Sequence, residues 1–219
     1  MLCIIIPAFN EAKRIGKVID AARRQSKNVI VVDDGSSDGT SAVAEREGVI
    51  VLRHIVNMGK GAAAKTGCDY ALERDATMIV LMDSDGQHDA RDIPRFLRAI
   101  KGHDIVFGQR LFNAKMPLVF NIGNRLLDFM TFFLFGIELQ DTQCGFRAFT
   151  AAAYRKIRWK AADYSMESEM IANAGRHRLR YATVKIATVY ADHYKGTTVL
   201  DGISIAFNML FWRLRRGIV

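Results

Sequence analysis

The sequence contains few cysteines, and no two of them lie close together in the sequence. Three occur among 219 residues, at Cys3, Cys68 and Cys144, without a Cys-x-x-Cys pair. An odd number of widely spaced cysteines argues against a disulfide framework and against a thiolate zinc site. We therefore expect a protein of a reducing compartment, the cytoplasm.

Long apolar runs are also absent. The two longest, residues 129–137 and 202–212, are about half of the roughly 20 residues that a membrane-spanning helix requires. The first residues lack the basic region and the cleavage pattern of a signal peptide. The sequence has only three prolines, no internal repeat and no low-complexity tract. We expect a single domain over residues 1–219.

Acidic residues are outnumbered by basic ones, 23 against 31, which gives a net charge of +8 and a pI near 9.6. Such an excess favours anionic partners: nucleic acid, nucleotide-phosphate substrates or an acidic membrane surface. The lysines and arginines are scattered rather than arranged in a stripe, and no motif that reads RNA or DNA occurs. We therefore expect no nucleic-acid partner.

Apolar segments of strand type alternate with segments of helical composition. The expected strands are residues 2–6 (ended by Pro7), 29–32, 49–52, 78–82 and 105–108, and the expected helices are 11–25, 40–47, 60–74 and 91–101. Strands separated by helices indicate parallel βαβ units, so the fold class is α/β with a mostly parallel sheet flanked by helices. Beyond residue 109 we expect one or two helices in 112–137, a helix at 164–176, a strand, whole or broken, at 181–190, and an amphipathic helix at 201–216.

Acidic residues follow the fourth expected strand directly. Asp83, Asp85 and Gln87 form an oxygen-rich set at the edge where α/β sheets present their sites. Mg²⁺ or Mn²⁺ prefers such ligands to sulfur, and a divalent ion held there would grip a diphosphate. The alternative is an acidic turn in which Asp89 and Asp92 cap the next helix. A second acidic strand end earlier in the chain favours the metal site.

That second strand end is the segment 33–40, which begins with Asp33 and Asp34 and contains two glycines. Its carboxylates suit hydrogen bonding to a ribose or a base, although the same residues also suit a turn that caps a helix. The segment 7–11 ends the first expected strand, and parallel strands would place both loops at one edge of the sheet. We therefore predict a nucleotide pocket there.

Lys60 lies between two glycines, Gly59 and Gly61, at the start of an expected helix, which is the arrangement of an anion site. The segment is not a Walker A loop, because Gly61 replaces its Ser or Thr and the upstream glycine is absent. No Gly-x-Gly-x-x-Gly follows the first strand either, which argues against a nicotinamide dehydrogenase.

As an ordered set, these motifs resemble glycosyltransferase family two, the inverting sugar-nucleotide transferases of GT-A fold. The resemblance extends over nearly the whole chain, and within the family it points to the dolichyl-phosphate and polyprenyl-phosphate sugar synthases. Segments 108–110 and 141–147 and the pair Glu167-x-Glu169 carry this finer likeness. The segment 194–202, followed by an amphipathic helix, resembles the archaeal members that load a sugar onto dolichyl phosphate.

The resemblance implies a role for each motif. The nucleotide-binding residues would be Pro7, Phe9, Asn10, Glu11, Asp34, Lys60, Asp83 and Ser84. The metal ligands would be Asp83, Asp85 and Gln87, and the catalytic residues would be Asp85, Arg110 and Asp141. The sugar and the acceptor would lie beside Gln143, Arg147, Glu169 or Glu167, and Lys195. Family members usually have an arginine where Lys195 stands, and a lysine keeps the charge but loses the bidentate fork.

The implied reaction moves a sugar from UDP-glucose or UDP-N-acetylglucosamine, with GDP-mannose as a further donor, to dolichyl or polyprenyl phosphate. Mg²⁺ or Mn²⁺ would be the cofactor. The product would be a lipid-linked sugar for protein glycosylation. The alternative within the family is a transferase whose acceptor is a soluble molecule or a polysaccharide.

Two segments, near 116–137 and 201–216, are expected to form amphipathic membrane-proximal helices. The second places Ile203, Phe207 and Phe211 on one face and ends in arginines, which suits either an interfacial helix or a helix that faces the core. Because a lipid acceptor is held in the bilayer, the resemblance implies a peripheral protein at the inner face of the cell membrane.

Overall fold

A computed structural model of the chain describes residues 1–110, 118–187 and 199–214. Its strands are β1 (Leu2–Ala8), β2 (Val29–Asp33), β3 (Ile50–Arg53), β4 (Met78–Leu81), β5 (Ile105–Arg110), β6 (Arg147–Thr150) and β7 (Tyr181–Ile186). They form one sheet in the order β3-β2-β1-β4-β6-β5-β7. Every neighbouring pair is parallel except the pairs of β6 with β4 and with β5.

Helices cover both faces of this sheet. They are α1 (Ile15–Arg23), α2 (Thr40–Arg46), α3 (Lys60–Glu73), α4 (Ile93–Ala99), α5 (Leu118–Phe135), α6 (Ala151–Ile157), α7 (Met166–Arg176) and α8 (Val199–Leu214). Ile4 and Ile6 of β1 pack with α1 and α4 on one face, whereas Ile5 packs with α3 on the other. A strand with both faces covered is apolar throughout, as β1 and β2 are, and its end is held rigidly.

β1 continues through Pro7 to Ala8, so the prediction that Pro7 ends this strand is wrong. The N–H of Ile4 donates to the carbonyl of Asn28 beside β2, and by alternation along the strand the nitrogen of Pro7 faces the β4 side. β4 pairs with β1 only as far as Ile5, so Pro7 removes no hydrogen bond from the ladder. The strand therefore extends to the edge of the cleft described below.

The mostly parallel sheet is confirmed, but the prediction missed the antiparallel β6 and the helix α6 that follows it. A strand of four residues that begins with the charged Arg147 carries too little periodicity to be recognised. The prediction also began α1 at residue 11 and α4 at residue 91, whereas a turn of 3-10 helix at Ala90–Asp92 precedes α4.

Of the two alternatives for residues 112–137, the structure shows one helix, α5, and residues 111–117 lie outside the described part. β7 ends at Ile186, earlier than predicted, and residues 188–198 again lie outside the described part.

α5 and α8 pack against each other and against α7. Leu127, Phe135, Ala172 and Met209 form the small buried cluster between them. The outer sides carry large exposed apolar side chains: Leu126, Phe129, Phe132 and Phe133 on α5, and Phe207, Leu210 and Phe211 on α8. No helix in the described parts of the chain combines the length and the apolar character that crossing a membrane requires.

Candidate active site

A cleft of about 350 Å³ opens at the edge of the sheet where β1, β2 and β4 end. All of the predicted nucleotide-binding residues except Asn10 line it, and Asp85 lines it with them. Such a volume is typical of a small-molecule site. The strand ends thus converge on one cleft, as their parallel arrangement predicts.

An ion-paired lysine lies at the centre of the cleft. The Nζ of Lys60 is 2.8 Å from Oδ1 of Asp83 and 3.0 Å from Oε1 of Glu167. Burial disfavours the ammonium, but the two carboxylates outweigh this effect and raise the pKa of Lys60. Burial likewise opposes the charge of Asp83, but Lys60, with smaller contributions from His88 and Arg110, lowers the pKa of Asp83 to about 2. Both groups are therefore charged at neutral pH.

Gly145 permits this pair to form. A Cβ at position 145 would lie 2.7 Å from Oδ1 of Asp83 and 2.9 Å from Nζ of Lys60. Any larger residue would therefore occupy the space of the ion pair. The second oxygen of Glu167, Oε2, is buried and has no hydrogen-bond partner among the described residues.

Asp85 and Gln87 stand in a tight turn, in which the backbone N–H of Gln87 donates to Oδ1 of Asp85 at 2.9 Å. Burial and the neighbouring charge of Asp83 raise the pKa of Asp85. No group of three or more His, Cys, Asp or Glu side chains in the described residues could hold a metal ion by itself. Two carboxylates still fit Mg²⁺ or Mn²⁺, because such ions take their remaining ligands from substrate phosphates and water.

Asp34 organises the loop that leads into α3. Its carboxylate accepts the backbone N–H groups of Met58 at 2.9 Å and Gly59 at 2.7 Å, and Nδ1 of His54 lies 2.7 Å from its Oδ1. The residue lines the cleft but is only 2% exposed. Its predicted contact with a ribose stays a prediction, and its visible role is to hold this loop.

A neighbouring segment packs closely against the start of α3. The N–H of Ala62 donates to the carbonyl of Ala162 at 3.1 Å, and a Cβ on Gly59 or Gly61 would lie within 2.5 Å of neighbouring carbonyls. The segment before α7 therefore covers this helix start. The two glycines permit that close approach, and the predicted anion site at Lys60, which lines the cleft, stays a prediction.

The first two loops of the cleft are joined by Asn10, whose φ of 54° lies in the left-handed region. Its Oδ1 accepts the N–H of Ser37, and its own N–H donates to Oγ of Ser36. Glu11 pairs with Arg14 at 2.8 Å, and Phe9 is 44% exposed at the cleft. Asn10 thus acts here as a clamp between loops, while the exposed ring of Phe9 is available to a base.

Arg110 and Asp141 form a bidentate pair. The Nε and Nη2 of Arg110 donate to the two oxygens of Asp141 at 2.6 and 2.8 Å, and the backbone N–H of Arg110 donates to Asp141 as well. The side chain of Asp141 is fully buried, whereas that of Arg110 is 14% exposed. The carboxylate therefore fixes the guanidinium, which is close enough to the cleft to lower the pKa of Asp83.

A further carboxylate, Asp128 of α5, lies behind this pair. Its Oδ1 accepts the N–H of Thr142 at 3.2 Å. Burial and the nearby charge of Asp141 raise the pKa of Asp128 to about 6, although Thr142 and Arg110 oppose this shift. Nothing in the local sequence of α5 marked this residue, because its partner lies 14 positions away.

Arg147 is only 1% exposed and donates to backbone carbonyls. Its Nε bonds Cys144 at 2.9 Å, its Nη1 bonds Glu167 at 2.7 Å, and its Nη2 bonds Thr142 at 2.8 Å. The structure places it beneath the site, where it holds the segment 142–144 against α7. Its predicted contact with the acceptor stays a prediction.

The remaining predicted sugar and acceptor residues are dispersed. The Oε2 of Glu169 accepts the N–H groups of Lys160 and Ala161 at 2.9 and 2.8 Å, so this carboxylate caps the segment before α7. Gln143 donates from Nε2 to Oγ of Ser168 at 3.0 Å. Lys195 lies outside the described residues.

The sequence profile described as "Glycosyl transferase family 2" matches residues 3–158, more than half of the chain. The chain belongs to this family.

The relatives include proteins that act on lipid phosphates. A UDP-N-acetylglucosamine–dolichyl-phosphate N-acetylglucosaminyltransferase of Methanococcus voltae is 33% identical, over 98% of this chain and 96% of its own length. A polyprenol monophosphomannose synthase of Mycolicibacterium smegmatis is 27% identical, over 99% of this chain and 90% of its own length. The predicted resemblance to the lipid-phosphate sugar synthases, archaeal members included, is therefore confirmed.

Solved structures of glucosyl-3-phosphoglycerate synthase from Mycobacterium tuberculosis share the fold. The complex with uridine diphosphate superposes with a TM-score of 0.76 at 20% identity, covering 100% of this chain and 81% of that one. The complex that also contains Mn²⁺ and glucosyl-3-phosphoglycerate gives a TM-score of 0.73 at 19% identity. The predicted GT-A fold is confirmed.

Three contributors to this family-two site were not predicted from the sequence. Asp163 and Tyr164 line the cleft from the segment before α7, and the Nζ of Lys60 lies 5.7 Å from the ring centre of Tyr164. Gly145 was noted only as part of a motif. Asp163 and Tyr164 belong to a polar and aromatic segment that precedes a helix, which is a signal that the sequence contains. Their contact with Lys60 was not predictable, because they lie about a hundred positions from it in the sequence.

Proposed function

We propose that this chain is a single-domain, metal-dependent, inverting glycosyltransferase that moves a sugar from a nucleotide-sugar to dolichyl or polyprenyl phosphate. The observation that carries the proposal is the convergence of Asp83, Asp85 and Lys60 in one cleft beside the fixed guanidinium of Arg110. Carboxylates suited to a divalent ion and a positioned cation are what a leaving diphosphate requires. The lipid-phosphate substrates of the relatives support the choice of acceptor.

The donor would occupy the cleft with its base near Phe9 and Glu11 and its diphosphate near Asp83 and Asp85. UDP-N-acetylglucosamine or UDP-glucose is favoured, because the Methanococcus voltae relative that uses UDP-N-acetylglucosamine matches along nearly its full length. GDP-mannose is the other donor to be tested. The product would be a lipid-linked sugar that serves protein glycosylation.

Asp83, Asp85 and Gln87 would hold Mg²⁺ or Mn²⁺, with the diphosphate supplying further oxygen ligands. When bound, such an ion offsets the negative charge that grows on the leaving diphosphate. Lys60 already pairs with Asp83 at 2.8 Å, so its ammonium is placed to add positive charge at the same point. The chain's own residues thus bind and orient the donor.

The acceptor phosphate would attack the anomeric carbon from the side opposite the nucleotide, so that the sugar–oxygen bond forms as the bond to the diphosphate breaks. A phosphate monoester has a second pKa near 6 and is largely dianionic at neutral pH, so a strong general base is unnecessary. Arg110 would meet phosphate charge, and Asp141 would orient the guanidinium rather than accept a proton. Gln143 and Glu167 would lie near the sugar.

The lipid part of the acceptor would remain in the membrane, with the enzyme at its cytoplasmic surface. The exposed apolar sides of α5 and α8 would contact the bilayer. Phe129 and Phe133 are 64% and 76% exposed, and Phe207 is 73% exposed. Exposed aromatic patches beside basic residues such as Arg213 suit an anionic lipid interface.

A thermal-shift panel followed by transfer assays would test this function. UDP-N-acetylglucosamine, UDP-glucose and GDP-mannose are each added with and without Mg²⁺ or Mn²⁺, and a bound donor raises the melting temperature. We expect one metal-dependent donor and transfer from it to polyprenyl phosphate in detergent. Transfer to soluble sugars alone would favour the alternative acceptor class, and no shift with any donor would overturn the proposal.

A further inference from the structure

The segment between α5 and β6 is held from two sides at a single residue, Thr142. The N–H of Thr142 donates to Asp128 of α5 at 3.2 Å, and the carbonyl of Thr142 accepts from Arg147 at 2.8 Å. Thr142 is only 1% exposed, so no water replaces either bond readily. The backbone position of Thr142 therefore depends on Asp128 and Arg147 together.

The residues on either side of Thr142 bond to other elements of the chain. Asp141 fixes the guanidinium of Arg110 through both carboxylate oxygens, and Gln143 reaches α7 through Ser168. A displacement of the Thr142 peptide would move both neighbours. Because the bond between Arg110 and Asp141 is bidentate, a small rotation of Asp141 redirects the guanidinium.

Asp128 also stands at the border of the exposed apolar side of α5. Phe129 and Phe132, which are 64% and 54% exposed, lie on the outer side of the helix, whereas Leu127 is buried beneath it. The same helix thus presents aromatic rings outward and a carboxylate toward the segment that carries Asp141. No other described contact from a side chain of α5 reaches the N–H of Thr142.

We infer that Asp128 is a positioning residue, which fixes the Arg110–Asp141 pair by anchoring the Thr142 peptide to α5. The effect of Asp128 on catalysis rests on the proposed transferase function. The anchoring of Thr142 by Asp128 does not depend on that function. The hydrogen bond rather than the negative charge performs the positioning, because Asp128 and Asp141 repel each other and the charge of Asp128 is disfavoured.

Three substitutions separate the hydrogen bond from the charge. Asp128→Asn keeps an oxygen at the same distance from the backbone, Asp128→Glu keeps the charge but moves the carboxylate, and Asp128→Ala removes both. Glu138→Ala is the matched control, because it removes an exposed carboxylate just beyond the end of α5. If the alanine variant fails to fold, the asparagine and glutamate variants still carry the comparison.

Hydrogen exchange of peptides that cover residues 139–146 is the first readout, since it needs no substrate. We expect exchange to accelerate by about tenfold or more in Asp128→Ala and Asp128→Glu, and to stay within about threefold of the natural protein in Asp128→Asn and Glu138→Ala. Exchange of β1 and β4 should not change. Unaltered exchange of 139–146 in the alanine and glutamate variants would overturn the inference, as would fast exchange in Asp128→Asn.

Steady-state transfer is the second readout. We expect kcat/KM for polyprenyl phosphate to fall about tenfold or more in the alanine and glutamate variants, with recovery in Asp128→Asn and an unchanged KM for the donor. A loss of transfer in Asp128→Asn while Asp128→Glu keeps full transfer would point to the negative charge and overturn the positioning role. If the natural protein transfers no sugar, the proposed function fails, while the exchange result still decides whether Asp128 anchors the segment.

Discussion

The two sides of the cleft are built differently. On one side, which we call the strand-end region, Pro7, Asp34 and Asp83 each lie in or directly after a strand of the sheet. On the other side, the helical region of residues 118–187, the polar residues are joined by contacts between distant parts of the chain. Lys60 with Glu167 and Arg110 with Asp141 are examples. Strand ends take their position from the sheet, whereas the helical region depends on a few buried hydrogen bonds.

One residue from each region shows how this difference affects the loss of a charge: Asp85 in the strand-end region and Arg147 in the helical region. Burial and Asp83 already disfavour the negative charge of Asp85. In contrast, the charge of Arg147 is buried and satisfied by three carbonyls. Removing Asp85 should therefore abolish activity without destabilising the structure, whereas removing Arg147 should destabilise the structure.

The largest expected effect is on catalysis, in Asp85→Ala. We expect turnover to fall by about a thousandfold, because loss of one charge-stabilising contact costs this order of rate. The melting temperature should not fall, since the charge of Asp85 is disfavoured in the folded protein. Radiolabelled sugar transfer and thermal unfolding measure the two quantities. Glu45→Ala, which removes an exposed carboxylate on α2 outside the cleft lining, is the control. Substantial metal-dependent turnover in Asp85→Ala would exclude a metal role for Asp85.

The next effect is on stability, in Arg147→Met. The substitution keeps much of the volume but leaves three buried carbonyls without their donor, so we expect a loss of about 3 kcal/mol in the free energy of unfolding. Denaturant titration measures this loss. Arg155→Met, on the exposed side of α6, should change stability by less than about 0.5 kcal/mol. Equal stabilities for the two variants would show that the buried hydrogen bonds of Arg147 contribute nothing.

The same contrast explains what could be predicted from the sequence. The parallel strands and the cleft at their ends follow from apolar segments that stop at Asp33 and Asp83, which is local information. Asn10 was expected to touch a nucleotide, and its side chain bonds Ser37 in the structure. Glu169 was expected near the sugar, and it caps the backbone of Lys160. Both ligand contacts stay predictions. A motif shows that a polar residue matters without showing whether it faces the cleft or the loop that shapes the cleft.

The helical region was less predictable because its key contacts join residues that are far apart in the sequence. The antiparallel β6 brings Arg147 under the site, and this strand was missed. Asp128 lies in an apolar helix, and from the sequence an isolated carboxylate there would be expected to face the solvent. Only the approach of the Thr142 backbone shows that it is bonded. Periodicity predicts the elements, whereas pairs such as these depend on how the elements pack.

A pH titration of Asp128→Asn tests whether the charge of this buried carboxylate in the helical region destabilises the folded state. The folded pKa of Asp128 is raised to about 6, above the value of about 3.9 expected in the unfolded chain. The folded state therefore holds this proton more tightly, and the stability that the proton provides is lost as pH rises from about 4 to about 6. The stability of Asp128→Asn relative to the natural protein should grow over that window, by about 1–2 kcal/mol.

Denaturant unfolding of both proteins between pH 4 and pH 7.5 measures this difference. Asp20→Asn is a suitable control, because Asp20 is an exposed carboxylate paired with Arg24 on α1. A constant difference between Asp128→Asn and the natural protein across the window would show that Asp128 titrates alike in the folded and unfolded chain.

The smallest expected effect concerns the outer surface of the helical region. The rings of Phe129 and Phe133 stack on each other with centroids 6.3 Å apart and are largely exposed, so replacing both by serine should leave stability within about 0.5 kcal/mol. If this side of α5 enters a bilayer, the double substitution should weaken binding to anionic vesicles by about tenfold. Vesicle co-sedimentation measures it.

The control for that experiment lies in the strand-end region. Ile55 is 99% exposed in the loop after β3, and Ile55→Ser removes apolar surface at a distance from α5. If α5 carries the membrane contact, Ile55→Ser should bind vesicles like the natural protein while the double variant does not. Equal weakening in both would mean that exposed apolar residues bind lipid wherever they lie, and the assignment of lipid binding to the helical region would fail.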